Sequence, residues 1–240
     1  MKETLIITDL TQMPKGNEVC VVGIDAEGKC IRPVCERGFL KEYLYDSKRG
    51  VIVRPGAKVE FDLYPFDVLP PQIEDMMFNP SSITGRGMFT PSEWENTLRR
   101  SSFETVSEIY DGLIQDNAWV MPGAETRSIG TLAKTSIIDL YLTPGSVKPR
   151  ITFADSSDCE FERPASDLTL WDRCHCLVKD RGQDILSVQK ELLSSLQGTD
   201  RLYLRVGLAR PWGQDGKCWL QITGVYTFPD YLDGKCFDDF

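Results

Sequence analysis

Histidine occurs once in the 240 residues, at His175, so metal centres built on several imidazoles are excluded. No apolar run approaches the roughly 20 residues that a membrane-spanning helix needs. The first sixteen residues are too acidic, and their apolar stretch too short, for an export signal, so a cytoplasmic location is expected. Cations are also short: 27 Lys and Arg stand against 36 Asp and Glu, a net charge of −9. That balance excludes nucleic-acid binding by bulk electrostatics, and any phosphate contact must come from a local patch. There is no P-loop, dinucleotide fingerprint or G-x-S-x-G elbow. Gly85-Arg86-Gly87 resembles a phosphate loop only superficially, since no Lys-Ser/Thr follows it, and it is expected to be a flexible loop.

Eight cysteines are present, but without paired C-x-x-C knuckles. In a chain of this length without an export signal they are expected to be free thiols. Cys174, His175 and Cys176 cluster, but on a strand neighbouring side chains point to opposite faces and do not share one metal. No metal, cofactor or catalytic residue is expected. Asp155, Asp158, Glu160 and Glu162 are the one set that suggests a metal-dependent nuclease. Against it, Asp155 and Asp158 bracket a turn, where Asp serves its own backbone, and Glu160 and Glu162 alternate with Phe161 as an exposed face does.

What is present is period-two patterning. Residues 4–9, 18–25 and 29–35 read as three strands separated by the turn signals Pro14-Lys15-Gly16-Asn17 and Ala26-Glu27-Gly28. Phe39, Leu40, Tyr43 and Leu44 fit a short helix, and residues 57–64 form a fourth strand. This is the order of an OB barrel, with the run after Pro71 as a weak candidate for its fifth strand. Thr90-Pro91-Ser92-Glu93 is a capping box opening a helix to about Arg100. Phe103, Val106, Ile109, Tyr110, Leu113 and Ile114 predict a second helix. Strands are then expected at 136–143, 150–155 and 159–163, the last resuming at 167–170, followed by a helix over 184–197 ending at Gly198.

The closing segment is the most regular. Leu202, Leu204, Val206 and Leu208 alternate with Tyr203, Arg205, Gly207 and Ala209, a turn is expected over Gly213 to Gly216, and Cys218, Leu220 and Ile222 return, with Gly224 able to admit a bulge. The expected architecture is a β-rich α+β protein of two tandem OB-fold-like barrels, at residues 1–78 and 128–240, with a connector and helical insert over 79–127 between them.

The segments ITDLTQMPKGNEVCVVGIDAEGKCIRPV, RSIGTL, ITFADSSDCEF, YLRVGLARPW and CWLQITGVYTFPDYL resemble the prokaryotic dual OB-containing domain family along nearly the whole chain. The resemblance implies that fold and a setting in prokaryotic nucleic-acid-directed or antiviral defence systems; it carries over no catalytic residues. OB barrels present cations and aromatics to single strands. The expected nucleic-acid-binding residues are Arg32, Arg37 and Lys58 from the first barrel, and Arg150, Tyr203, Arg205, Arg210 and Trp219 from the second. Two alternatives stay open for them: the run from Arg32 to Lys58 is a solvated face, and Tyr203 and Trp219 pack beneath the helix at 103–114. The expected partners are single-stranded nucleic acid or other proteins of the same system. A protein-binding adaptor is the second expectation.

Overall fold

The computed structural model describes residues 1–14, 16–199, 201–211 and 215–240. The turn signals at Lys15 and at Gly213 to Gly216 fall wholly or partly outside the described residues.

The first unit contains β1 (Lys2–Gln12), β2 (Glu18–Ile24), β3 (Cys30–Val34), β4 (Ala57–Tyr64) and β5 (Asp75–Phe78). They pair in the order β1-β2-β3-β5-β4, and β4 returns to β1, closing a five-stranded barrel with β3–β5 as its parallel pair. One long strand makes closure possible: Lys2–Ile6 of β1 pairs with β4, and Ile6–Gln12 pairs with β2. In β4, Ala57, Val59, Phe61 and Leu63 are buried and alternate with half-buried Lys58, Glu60 and Asp62, as the sequence predicts. Pro33 is tolerated within β3 because the β2–β3 ladder stops at Ile31, so no bond to β2 is lost. The weak fifth strand is real: Phe78 of β5 stacks on Phe39 at 5.1 Å and meets Phe61 edge-on at 5.8 Å. The predicted helix at 39–44 shrinks to a single 3₁₀ turn, Lys41–Leu44. Leu168, Cys236 and Phe237, from much later in the chain, complete this core.

The chain continues through β6 (Thr84–Met88), α1 (Pro91–Arg100), β7 (Ser102–Phe103), α2 (Val106–Ile109), β8 (Trp119–Val120) and β9 (Ile129–Leu132). Then follow β10 (Ser136–Leu142), β11 (Pro149–Ala154), β12 (Glu160–Pro164), α3 (Leu168–His175), α4 (Ile185–Gln197), β13 (Leu202–Leu208) and β14 (Cys218–Thr227). β7-β9-β13-β14-β8 form one sheet, and β10-β11-β12 form a half-barrel joined to it by the parallel bridge Ala165–Ile222. The core between them combines the even-numbered side chains of β13 with Ile151 and Phe153 of β11 and with Val188, Leu192 and Leu196 of α4. The fold is thus β-rich, a closed barrel beside an open one, and consistent with OB-like barrels. None of the described helices is long and apolar enough to cross a membrane.

Four local expectations change. Gly85-Arg86-Gly87 lies in β6, paired with β4, rather than in a loop. The second helix is only one turn, because Asp111 and Gly112 adopt φ of +52° and +75° and end it; Phe103 belongs to β7. The stretch over residues 79–127 is accordingly shared out, with β6 on the first barrel and β7 and β8 on the second sheet. Residues 167–170 start α3 rather than resume a strand, since the Asp167 carboxylate accepts the Leu170 backbone N–H at 3.1 Å as an N-cap. Four residues of apolar–polar alternation imitate a strand; the cap decides otherwise.

Candidate functional site

The two units meet across a polar seam built by a pair of β-bulges. In β1 the register shifts between Ile7 and Asp9, so the inward phase passes from Leu5 and Ile7 to Leu10 and turns Asp9 outward. In β14 the shift falls opposite Arg205/Val206, moving the inward phase from Ile222 to Val225, as the placement of Gly224 suggested. The two bulges face each other. Arg205, with 0% of its surface exposed, donates to Asp9 from Nε at 2.9 Å and to the Thr131 hydroxyl from Nη1 at 2.8 Å. Its Nη2 lies 2.9 Å from the same Asp9 carboxylate, to which Thr223 also donates. Burial alone would lower the Arg205 pKa, but Asp9 and the nearby Cys30 outweigh it and the net shift is upward. Burial pushes the Cys30 thiol up, against the opposing pull of Arg205.

A second buried cluster lies beside it. Arg32 donates to Asp75 Oδ1 at 2.9 Å and to the Ser128 hydroxyl at 2.7 Å, and Ser128 in turn donates to Glu74 from Oγ at 2.7 Å and from its backbone at 2.9 Å. Arg210 reaches the other oxygen of Asp75 at 2.6 Å. The first-barrel cation Arg32 and the hairpin cation Arg210 therefore do converge, but on a shared carboxylate.

These contacts correct the expected open face. Arg32 and Arg205 are structural cations of the seam, not surface groups. Tyr203 is buried too, edge-on to Phe228 at 5.9 Å and in one cluster with Leu98 of α1, so it packs beneath the first helix rather than the second. Arg150 is held by Glu162 at 3.0 Å, and Tyr141 donates to that same carboxylate. Lys58 lies over the Phe89 ring at 5.1 Å, and Arg37 is exposed on the turn after β3. Trp219 and Arg210 keep substantial exposure, 36% for the residue and 57% for the side chain. The eight residues do not form one groove.

The acidic set resolves similarly. Asp155 is buried and accepts from the Val106 and Ser157 backbones and the Ser157 hydroxyl, so its oxygens serve a turn. Among the described residues no three His, Cys, Asp or Glu side chains gather as metal ligands. Cys174, His175 and Cys176 sit at the end of α3 and the π-turn after it, not on a strand.

A cleft lies elsewhere along the seam. It encloses about 910 Å³, between the β2–β3 tip (Gly28, Lys29, Cys30), the β4–β5 loop (Pro70, Ile73, Glu74), and the α1 end with β7 and β9. That volume is in the range of ligand pockets. Glu125, Thr126 and Arg127 line one wall, and burial alternates along residues 125–128. Thr126 and Ser128 are buried, donating to Asp111 at 2.7 Å and to Glu74; Glu125 and Arg127 are more open. Arg127 lies over the Phe103 ring at 4.7 Å, and its Nε is buried with no hydrogen-bond partner. Lys29 and Arg100 complete the cationic lining, and among the described residues none of the three cations is ion-paired. The carboxylates Glu74 and Asp111, by contrast, are already engaged by hydroxyls. The sequence placed Lys29 at the start of a strand and Arg127 at the end of the connector, with no signal that would bring them together, because their approach depends on how the barrels dock.

No family model matches the chain, and no curated protein matches it either.

Proposed function

We propose that the chain is a nucleic-acid-binding module of two tandem OB-like barrels, and that a single strand lies in the seam cleft. One observation carries this reading: Lys29, Arg100 and Arg127 converge without carboxylate partners around Phe103, while two of the three acidic groups there are occupied. A local excess of free cations is what an acidic protein needs to hold phosphate. The strand order of the closed barrel and the cleft wall formed by its fourth-to-fifth-strand loop agree with the use OB barrels make of that loop. A setting in a prokaryotic nucleic-acid-processing or defence system rests on the family resemblance alone.

The test is fluorescence anisotropy with labelled single-stranded DNA and RNA, at ~50 mM salt where phosphate contacts are strongest. Wild type should bind, and Lys29→Ala/Arg127→Ala should weaken binding and flatten the log–log salt slope by roughly 0.7 per lost contact. Absence of binding, or a double variant that binds as wild type, would sink the proposal. Arg32 and Arg205 are unsuited to this test because their loss perturbs the seam itself.

A second reading, a protein-binding adaptor, is favoured by the same loop. Tyr64, Phe66, Leu69 and Ile73 are all exposed there, Leu69 at 82%, with Asp67 the one charge among them. Under this reading Phe66→Ser/Leu69→Ser abolishes complex formation with a partner while leaving the fold and oligonucleotide binding unchanged.

A further inference from the structure

Trp119 and Trp219 face each other in register across β8 and β14. Lys217 lies over both indoles, its Nζ 4.0 Å from the Trp119 ring centre and 5.5 Å from that of Trp219. Trp119 is buried and its Nε1 donates to Asp116 at 3.3 Å, whereas Trp219 is exposed. The Ala209 backbone donates to the Trp219 carbonyl at 2.8 Å, which puts Arg210 next to this pair; only one of the Arg210 nitrogens is tied to Asp75. The β4–β5 loop lies between this patch and the cleft. Gln72 reaches the Ala209 carbonyl at 3.5 Å, while its neighbours Pro70, Ile73 and Glu74 line the cleft.

We infer that Trp219, Lys217 and Arg210 form a second contact point for a single-stranded nucleic acid, which leaves the seam cleft, crosses the β4–β5 loop and stacks one base on Trp219. This rests on the nucleic-acid reading of the cleft. An exposed indole held by its cross-strand partner and a cation is a preorganised stacking surface, so little side-chain freedom is lost when a base docks. Lys217, whose Nζ also lies 3.6 Å from Asp215, and the edge of Arg210 turned away from Asp75 place two cations beside the indole for a flanking phosphate. Stacking is sequence-tolerant because every base has a π-face.

The experiment titrates the full chain with oligothymidylates of increasing length, following tryptophan quenching and anisotropy in parallel, for wild type, Trp219→Ala, Trp219→Phe and Arg127→Ala, each checked for unchanged circular dichroism. Expected is quenching in wild type that is largely lost in Trp219→Ala, with affinity for long oligonucleotides falling roughly tenfold and near-wild-type affinity kept in Trp219→Phe. Oligonucleotides only long enough to fill the cleft should bind Trp219→Ala as they bind wild type. If Trp219→Ala binds long strands normally while Arg127→Ala weakens them, the strand ends at the cleft and this inference is wrong, though the cleft reading stands. If Arg127→Ala is neutral and Trp219→Ala is weak, the strand contacts Trp219 without passing through the cleft, which overturns both the cleft reading and the path inferred here. If wild type binds no oligonucleotide, both fall.

Discussion

Replacing Arg205 with Met is the sharpest test of the seam. The substitution removes the guanidinium from a site with no solvent access and leaves the Asp9 carboxylate buried, with Thr8 and Thr223 as its remaining side-chain donors. Breaking a buried ion pair by removing one partner costs about 3–5 kcal/mol, because the surviving charge cannot recover its hydration. At roughly 2–4 °C per kcal/mol for a chain of this size, the melting temperature should fall by roughly 6–20 °C. Asp9→Asn should also destabilise, since Arg205 then lacks its counter-charge. The double variant Arg205→Met/Asp9→Asn leaves neither charge, so it should be more stable than the summed single losses imply, by about 1–3 kcal/mol. Urea unfolding followed by circular dichroism measures all three. A loss below about 1 kcal/mol in Arg205→Met is the behaviour of an exposed ion pair. That result, or strict additivity in the cycle, would refute the buried seam.

Two further outcomes are expected. Phe78→Ala should cost about 3–5 kcal/mol in the same assay, because it removes the stacked and edge-on partner of Phe39 and Phe61; a loss under about 1 kcal/mol would mean that β5 does not close the first barrel. Asp167 is pushed up from its ordinary 3.8 to about 6 by burial, against the backbone N–H groups of Leu170, Val225 and Thr169. The folded protein therefore holds this proton more tightly than the unfolded chain does. Its stabilising contribution is full below pH ~4 and is lost as pH rises through about 6, a swing on the order of 3 kcal/mol. The stability difference between wild type and Asp167→Asn should follow that curve, shifting in favour of wild type as the pH falls from 7 to 4. A difference that is flat with pH would contradict it.

Period-two alternation alone determined most strands. In β4 the buried residues are the alternating apolar ones, in β13 the alternating apolar ones are those that enter the core between the sheets, and the pairing order of the first barrel follows from three strands, a turn and two strands. Capping chemistry likewise settled α1 at Thr90, since a side-chain oxygen three residues before an N–H is a local signal, and an apolar stripe ending at Gly198 settled α4. Failures came where a local pattern was outweighed: positive φ at Asp111 and Gly112 cut short an apolar stripe, and the Asp167 cap overrode four residues of alternation.

What only the tertiary structure decided is the fate of the second face of the closing hairpin. Alternation showed that Tyr203 and Arg205 share that face, and it showed no more, because a strand's period says which residues point together and not what they meet. Docking the facing bulges of β1 and β14 put Asp9 against Arg205 and turned an expected ligand surface into the joint between the two units. The same docking brought Lys29, Arg100 and Arg127 to one cleft and left Trp219 outside it. Burial of a charge is set by partners distant in sequence, here 196 residues apart, and no local pattern encodes it.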